Sequence, residues 1–537
     1  MSAPIDEVLI VGGGTAGWLT ATYLARHLGA NRPGGVRVTL IESSEIGILG
    51  VGEATFPTIL KTLSSIGIDE ARFMRNSAAT FKQGIRFVDW VRPAENGRHS
   101  HYYHPFQLPR PFQVPGEGSP LELLPYWLMG EAGPGVSFAA AVSLQEAVCD
   151  AGRAPKRLTD PEYRGPLNYA FHLDAGRFAT FLAEVGKELG VRRLIGTVEK
   201  VNVDETGAIA SLVSREHGEL KAGLYVDCTG FRGQLIGDAL GVRFQPKNDI
   251  VFNDCAVAMQ VPYLRTTDPI VPYTISTAHE AGWTWDIGLD QRRGVGYVYS
   301  SRYTDDTRAE EILRQYIGPA AGGLNARKLK FPIGWRERHW HRNCVAVGLA
   351  GGFMEPLEST GILLIEAAAY MLAAYFPRTG GMEQAANLYN RLMTKRYERI
   401  IDFIKMHYCI SQRRDTDYWR DNTRPETCPD SLLETLEMWR HRIPGRLDFV
   451  MDYETFATGN YQFVLYGMEF RTELGGNRAN YPHAARAREE FARVQQASRR
   501  AVAALPSHRE VVERIHQTGF SFAEAPGETP TVAALVR

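Results

Sequence analysis

The sequence predicts an α/β body that opens on a Rossmann-type βαβ unit and runs on into a mainly helical C-terminal third. Three observations carry that prediction. The apolar run EVLIV (7–11) leads into GGGTAG (12–17), then into WLTATYLARHL (18–28) with helical spacing, then into VRVTLIE (36–42), a second strand ending in an acid. Strand-like runs recur as far as residue 301. After about residue 376 the composition changes, and 382–412, 431–442 and 483–516 are charged, amphipathic and helical in period.

Each further element has its own signal. FPTILKTLSSIGI (56–68) has helical spacing, and GIRFVDWV (84–91) alternates as a strand does. Residues 92–135 are rich in Pro, Gly, His and aromatics with little periodicity, a stretch long enough to suggest a functional excursion. A helix is expected near 177–189, a strand–turn–strand over 192–214, and strands at 223–231, 250–262, 283–289 and 294–301. GILLIEAAAYMLAAYF (361–376) is apolar all round but shorter than the roughly 20 residues that span a bilayer, so it reads as a buried helix. The domain division drawn from this pattern sets 1–105 and 165–376, a dinucleotide-binding box with central strands, against 106–164 and 377–537, a mainly helical substrate-binding region packed on the box. The last dozen residues, rich in Pro, Thr and Ala, are expected to fray.

The totals narrow the function. The chain has 537 residues, enough for about three to four ordinary folding units and a core that needs no disulfides. Sixty Lys and Arg balance 61 Asp and Glu, which argues against nucleic acid as a partner. The N-terminus lacks a basic, signal-like segment, and no membrane association is expected. Six scattered cysteines (149, 228, 255, 344, 409, 428) show no CxxC spacing, so no zinc cluster or redox dithiol is visible and a reducing cytoplasm is the expected location. A homodimer is expected only on the general frequency of two-fold assemblies.

Within GGGTAG the glycines of GxGxxG are Gly12, Gly14 and Gly17. The first permits the tight turn, the second lets backbone approach a pyrophosphate, and the third lets helix pack on strand. The helix start then offers N–H groups and a positive dipole end to phosphates. Glu42 stands where a ribose hydroxyl would lie. NAD and FAD both suit this unit. YVDCTGF (225–231) and NCVAVGLAGGF (343–353), each a strand entering a glycine turn, favour FAD.

Four other stretches bear on chemistry. In FMEPLESTGI (353–362), Pro356 disfavours helix at Glu355, and Ser359 or Thr360 is placed to cap the apolar helix. A helix start is also an anion site without any basic side chain. Lys82, in ATFKQGIRF, reads on its own as a solvated surface lysine. His101 and His104 in HSHYYHPF lack a third ligand at metal spacing, so no metal is expected. In GWTWDIG (282–288), Trp283 and Trp285 would share one strand face, with core filling as the plain reading.

Taken together, GGGTAGW (12–18), VGEATFPT (51–58), FKQGIRFVDW (81–90), GWTWDIG (282–288) and PLESTGI (356–362) resemble the flavin-dependent tryptophan-halogenase family, in order and spacing, from residue 1 to about 376; the C-terminal third resembles it loosely. The resemblance implies a glutathione-reductase-like flavin monooxygenase fold. It implies that FADH2 from a separate flavin reductase, a transient partner, reacts with O2 to a hydroperoxide, that chloride or bromide attacks it, and that the hypohalous acid reaches a small aromatic substrate through a tunnel. Lys82 then corresponds to the family's essential lysine, acting as a hydrogen-bonding acid or a haloamine, and Glu358 to its catalytic glutamate. Thr360 and Gly361 correspond to the halide-holding backbone. Gly12, Gly14, Thr15, Ala16, Gly17 and Glu42 correspond to the dinucleotide grip, Val198 to a backbone contact with adenine, and Leu349, Ser359 and Ile362 to positions lining the isoalloxazine. VGEAT (51–55) corresponds to the strap over the flavin, and Trp283 with Trp285 to a tunnel wall that keeps the aromatic substrate off the hydroperoxide.

Two departures bear on the substrate. Gly288 stands where the family has proline, which suggests a looser turn after the tryptophan pair. YETFATGNYQFVLYGMEF (453–470) lacks the FWxNY-like stretch that clamps free tryptophan, so indole, a substituted indole, a phenol or a carrier-bound substrate stay open. The expected reaction is halogenation of an electron-rich aromatic such as indole or a tryptophan-like compound. The alternatives are a flavin-dependent aromatic hydroxylase, which would not need Lys82, and a non-enzymatic flavin-binding homologue.

Overall fold

The computed structural model describes residues 5–45, 52–118, 120–449, 455–475 and 478–521. The terminal segment expected to fray, the start of the strap at Val51, and Tyr453 and Glu454 lie outside these residues. The chain forms two compact units, one from 1–79, 173–254 and 329–398, the other from 80–172, 255–328 and 399–537.

The first unit is built on a six-stranded sheet in the order Trp340–His341, Cys344–Ala346, Leu224–Asp227, Glu7–Val11, Arg37–Glu42, Arg192–Ile195. All neighbours are parallel except the first pair. Parallel strands are covered on both faces, which is why EVLIV is apolar almost throughout. The helix Thr15–Leu28 packs against Ala175–Glu188 and Thr360–Ala374. The register sets Val11 beside both Asp227 and Ile41, so the carboxyl ends of these strands share one edge. In open α/β sheets ligands bind outside that edge.

The second unit contains a run of six paired strands: Cys255–Pro262, Arg292–Tyr299, Gly282–Gly288, Thr274–His279, Gly84–Val88 and His101–Pro105. Only the pair Thr274–His279 with Gly84–Val88 is parallel. The helix Asp306–Ile317 covers one end of this sheet through Ala309, Ile312 and Leu313. The helices Asp430–His441, Thr458–Gly467, Ala484–Ala504 and His508–Thr518 complete the unit. Among the described residues no helix is long and apolar enough to cross a membrane.

Most predicted elements lie within a few residues of the observed ones. The stretch 483–516 divides at Leu505 because Pro506 cannot continue a helix. The unperiodic stretch 92–135 contains the strand His101–Pro105 and the short helix Leu124–Leu128. The compact units cut the chain at other points than the sequence division does, since the strands of 84–105 and 255–299 group with the C-terminal helices.

Candidate functional site

In the first unit the glycine turn is tightly fitted at two positions and open at a third. Gly12 has φ +114°, and a Cβ there would lie 2.3 Å from the Cys228 carbonyl oxygen. A Cβ on Gly17 would lie 1.8 Å from the carbonyl oxygen of Gly12. Gly14 is extended (φ −76°, ψ −173°), and a Cβ there would have nothing within 4 Å. No side chain caps the helix that starts at Thr15, so its first N–H groups and dipole end are offered to that space. Glu42 folds over the turn: a Cβ on Gly13 would strike its Oε2 at 1.5 Å, while Trp18 Nε1 (3.3 Å) and Arg193 Nε (2.6 Å) donate to its carboxylate. This open cradle, with an acid beside it, fits a dinucleotide.

The neighbouring strand ends complete the corner. Buried Asp227 accepts from the backbone N–H groups of Thr229, Leu235 and Ile236 and from the Thr229 hydroxyl, which fixes the turn after YVD. Gly348, at φ +67°, begins the turn that carries half-buried Leu349, and a Cβ on Gly348 would lie 2.7 Å from Ala16 Cβ and 3.6 Å from Ile365 Cγ1. That turn therefore joins the start of the helix Thr15–Leu28 to the helix Thr360–Ala374. Val198 is buried, and its carbonyl accepts from Gln234 Nε2 at 2.9 Å.

The PLEST stretch departs from expectation in its local geometry. Pro356–Glu358 is a 3-10 turn, and Ser359 adopts a left-handed conformation (φ +59°, ψ +38°) ahead of Thr360. Neither the Ser359 nor the Thr360 hydroxyl caps the helix, because the left-handed turn takes Ser359 out of the extended geometry that a capping side chain uses. Strained non-glycine backbone of this kind tends to mark functional sites. Glu358, Ser359, Thr360 and Ile362 are buried, whereas Gly361 is exposed and a Cβ there would have nothing within 4 Å. Buried Glu355 accepts from Asn253 Nδ2 at 2.5 Å, which anchors the stretch.

In the second unit Lys82 is not a solvated lysine; it is fully buried. It ends the short strand Thr80–Lys82, which pairs antiparallel with Ala170–Asp174. Its Nζ stands 5.2 Å from the centre of the Phe106 ring. The strand and the residue after it are braced: the Thr80 hydroxyl donates to Gly288 O (2.6 Å), Phe81 N–H to His508 Nε2 (3.1 Å), and Gln83 N–H to Pro272 O (2.8 Å). Buried His172, paired with Thr80, has Nε2 within 2.9 Å of the Thr274 hydroxyl. Burial, and then the charge of Lys82, hold its pKa well below the usual imidazole value, so this neighbour of Lys82 is neutral.

Trp283 and Trp285 do share one strand face, with ring centres 6.5 Å apart in an edge-on arrangement. Trp283 is buried and Trp285 half-buried. Gly296, directly across, makes room for the Trp285 ring: a Cβ there would lie 2.1 Å from Cη2. Gly288 sits in a closely packed place. It ends the strand paired with Arg293, and a Cβ there would already meet Tyr263 Oη at 2.9 Å and Ile270 Cγ2 at 3.0 Å. His101 and His104, three apart on a strand, face opposite sides; His101 is exposed, and His104 is buried with Nε2 2.9 Å from Asn460 Nδ2.

Comparison with known proteins decides the family. The tryptophan halogenase family profile matches residues 7–479. The chain belongs to the tryptophan halogenase family. It is 38% identical over 530 residues to tryptophan 6-halogenase SttH of Streptomyces toxytricini, covering 94% of this chain and 97% of that protein. The crystal structure of a tryptophan halogenase from Shewanella frigidimarina superposes with a TM-score of 0.91 at 40% identity, over 96% of this chain and 98% of the other. Tar14, a tryptophan C-6 flavin-dependent halogenase (chlorinase) from taromycin biosynthesis, superposes with a TM-score of 0.87 at 38% identity, over 95% and 99%.

This protein is therefore a flavin-dependent halogenase with the α/β fold of that family, and the hydroxylase alternative is not favoured. The family match runs on to residue 479, past the five motifs, the last of which ends at 362. Sequence reasoning did not single out Phe106, His172 or His508, which lie about Lys82 and its strand. A histidine inside the apolar run AFHLD was the one local signal among them.

Proposed function

We propose that this halogenase uses FADH2, O2 and chloride or bromide to halogenate the indole ring of tryptophan or a tryptophan-like compound, with Lys82 directing the electrophilic halogen. A lysine sealed from solvent, on a strand whose Thr80 and Phe81 are held by Gly288 and His508, is the observation that carries this reading. Gly12, Gly14, Thr15, Ala16, Gly17 and Glu42 hold the dinucleotide, with Val198 toward adenine and Leu349, Ser359 and Ile362 toward the isoalloxazine. The reduced flavin with O2 supplies the oxidising equivalents that turn halide into hypohalous acid. Thr360 and Gly361 offer the halide backbone N–H groups at an uncapped helix start.

Lys82 either hydrogen-bonds hypohalous acid as an ammonium or, as an amine, displaces water from it and carries the halogen. Its fixed position against the Phe106 ring limits where the halogen can be delivered. Glu358 takes the proton lost when the ring rearomatises. Trp283 and Trp285 act as a wall, a role in which packing and function coincide. A separate flavin reductase supplies FADH2, and six cysteines present as free thiols support a cytoplasmic setting.

The test combines enzyme, flavin reductase, FAD and NADH with chloride and bromide in competition. Tryptophan, indole, substituted indoles and phenols form the substrate panel, read by mass spectrometry. A halogenated indole product, lost in Lys82→Ala by about a hundredfold or more with FAD binding intact, is expected. Products that gain oxygen but never halogen, with Lys82→Ala unaffected, would overturn the proposal.

A further inference from the structure

Trp285 starts a file of indole and phenol rings that runs through the second unit. Its ring centre lies 6.5 Å from that of Trp283, which lies 6.3 Å from Trp90. From Trp90 the file reaches Tyr418 by two branches, through Trp419 (5.6 and 5.3 Å) or through Tyr408 (5.1 and 6.3 Å). Tyr303 follows, 5.5 Å from Tyr418. Trp283, Trp90, Trp419, Tyr408 and Tyr418 are buried, whereas the two ends, Trp285 and Tyr303, are half-buried. Edge-on and tilted rings of this kind fill cores. Packing does not account for the way hydrogen bonding changes along the file. Nε1 of Trp283 and Nε1 of Trp285 are buried with no hydrogen-bond partner among the described residues. Trp90 and Trp419 donate to backbone carbonyls, Ser276 O at 3.1 Å and His279 O at 2.7 Å. At the far end the Tyr303 hydroxyl donates to a carboxylate, Asp421 Oδ2, at 2.7 Å.

We propose that this file is an escape path for oxidising equivalents: it carries an electron hole from the tryptophan pair to Tyr303, where a small thiol from solvent fills it. The proposal rests on the reading above that sets Trp283 and Trp285 beside the halogenating oxidant. The oxidant removed is of the one-electron class, a halogen atom or hydroxyl radical from homolysis of hypohalous acid or peroxide. A halogen atom takes one electron from Trp285 and becomes halide. The indole radical cation has no base beside its N–H, so it keeps its proton, stays strongly oxidising and takes an electron from the next ring. Rings in contact exchange electrons quickly, because electron tunnelling falls off exponentially with distance. The Arg413 guanidinium, 4.6 Å from the Trp419 ring centre, opposes a positive charge resting on that indole. Tyr303 gives up the last electron and, because an oxidised phenol is strongly acidic, passes its proton to Asp421. The hole therefore stops at Tyr303 as a neutral phenoxyl radical. A thiol returns a hydrogen atom to it, and Asp421 releases its proton to solvent. One halogen atom and one thiol thus give halide, a proton and a thiyl radical.

The experiment uses the full-length enzyme, with and without Trp127→Phe, since Trp127 and Trp285 are the two of the nine tryptophans that are not buried. Azide radicals made by pulse radiolysis oxidise indoles in preference to phenols, and the absorbances of the tryptophanyl and tyrosyl radicals are followed in time. The indole radical should convert to a tyrosyl radical at a rate independent of protein concentration. In Tyr303→Phe the tyrosyl signal should be lost in the Trp127→Phe chain, and the indole radical should persist. Asp421→Asn keeps the phenol and removes its base, and it should have the same effect. The proposal fails if the tyrosyl signal survives Tyr303→Phe, if Asp421→Asn leaves it unchanged, or if its rise depends on protein concentration. In a second arm the wild type and Tyr303→Phe turn over with flavin reductase, FAD, NADH and bromide, and peptide mass spectrometry follows oxygen gained at Trp283 and Trp285. That oxidation should build up faster in the variant; equal oxidation would overturn the protective role. The radiolysis arm needs neither flavin nor halide, so a failure of the halogenation reading would leave its outcome unchanged.

Discussion

The Thr80 hydroxyl donates to the Gly288 carbonyl at 2.6 Å, which hangs the strand ending in Lys82 on the end of the strand that carries Trp283 and Trp285. The bond is buried, so its loss strands a carbonyl. Thr80→Val keeps the shape and removes the donor. We expect a loss of about 1–3 kcal/mol in stability and a fall in kcat, since Lys82 lies two residues on, with FAD affinity unchanged. Denaturant midpoints, kcat and flavin titration check this; unchanged midpoint and kcat would refute the link. Gly288→Ala should also destabilise, by about 1–3 kcal/mol, because its Cβ meets Tyr263 and Ile270.

What could be read in advance follows the range of the physics. The βαβ unit was legible because strand period, glycine turn and helix period are local and lie within 42 residues. The shared face of Trp283 and Trp285 was legible because a strand's period is two. The burial of Lys82 was not, since its braces come from Gly288, Pro272 and His508, far along the chain. Ser359 misled for the opposite reason: its residue type favours capping, but the 3-10 turn before it imposes a left-handed backbone.

His508 gives the Lys82 strand a pH dependence. Its Nδ1 donates to Ile270 O at 2.8 Å and its Nε2 accepts from Phe81 N–H at 3.1 Å, an arrangement that only the neutral Nδ1–H tautomer satisfies. Burial, chiefly, pushes its pKa down to about 4. A depressed pKa means that the unfolded chain binds the proton first. The stability contribution is then complete above about 6.5 and is lost as pH falls toward 4, by at most about 1.4 kcal/mol per unit. Urea unfolding at pH 7 and pH 5 should show a larger drop for the wild type than for His508→Asn. Equal drops would show that His508 is not the titrating group.

Glu366 titrates with the opposite sense. Buried on the helix Thr360–Ala374, it accepts from the Thr58 (3.1 Å) and Thr62 (2.5 Å) hydroxyls of the helix Thr58–Ile66. Burial raises its pKa to about 8 although both hydroxyl bonds lower it. Between about 4.5 and 8 the folded protein keeps a proton that the unfolded chain has released, so stability falls as pH rises through that window. Glu366→Gln has no proton to lose. Its stability relative to the wild type should therefore climb by a few kcal/mol from pH 5 to pH 8.5, measured as the difference in unfolding free energy. A gap that stays constant with pH would mean that Glu366 is ionised throughout.

Gly14 and Gly17 separate what the fold needs from what the cofactor needs. Gly14 has an extended backbone that alanine also adopts, and an added Cβ touches nothing within 4 Å. Gly14→Ala should fold with an unchanged melting temperature. The methyl group would instead occupy the space beside the helix start, where a pyrophosphate approaches the backbone. FAD affinity should fall about tenfold or more, a cost of about 1.4 kcal/mol or more. At Gly17 the added Cβ would lie 1.8 Å from the Gly12 carbonyl oxygen, a clash of backbone with helix that no side-chain movement relieves. Gly17→Ala should lower the melting temperature and fold poorly even without flavin. Thermal melts of flavin-free protein, followed by FAD titration of whatever folds, give both readouts. If Gly14→Ala binds FAD as tightly as the wild type, the open cradle is not where the cofactor's phosphates lie.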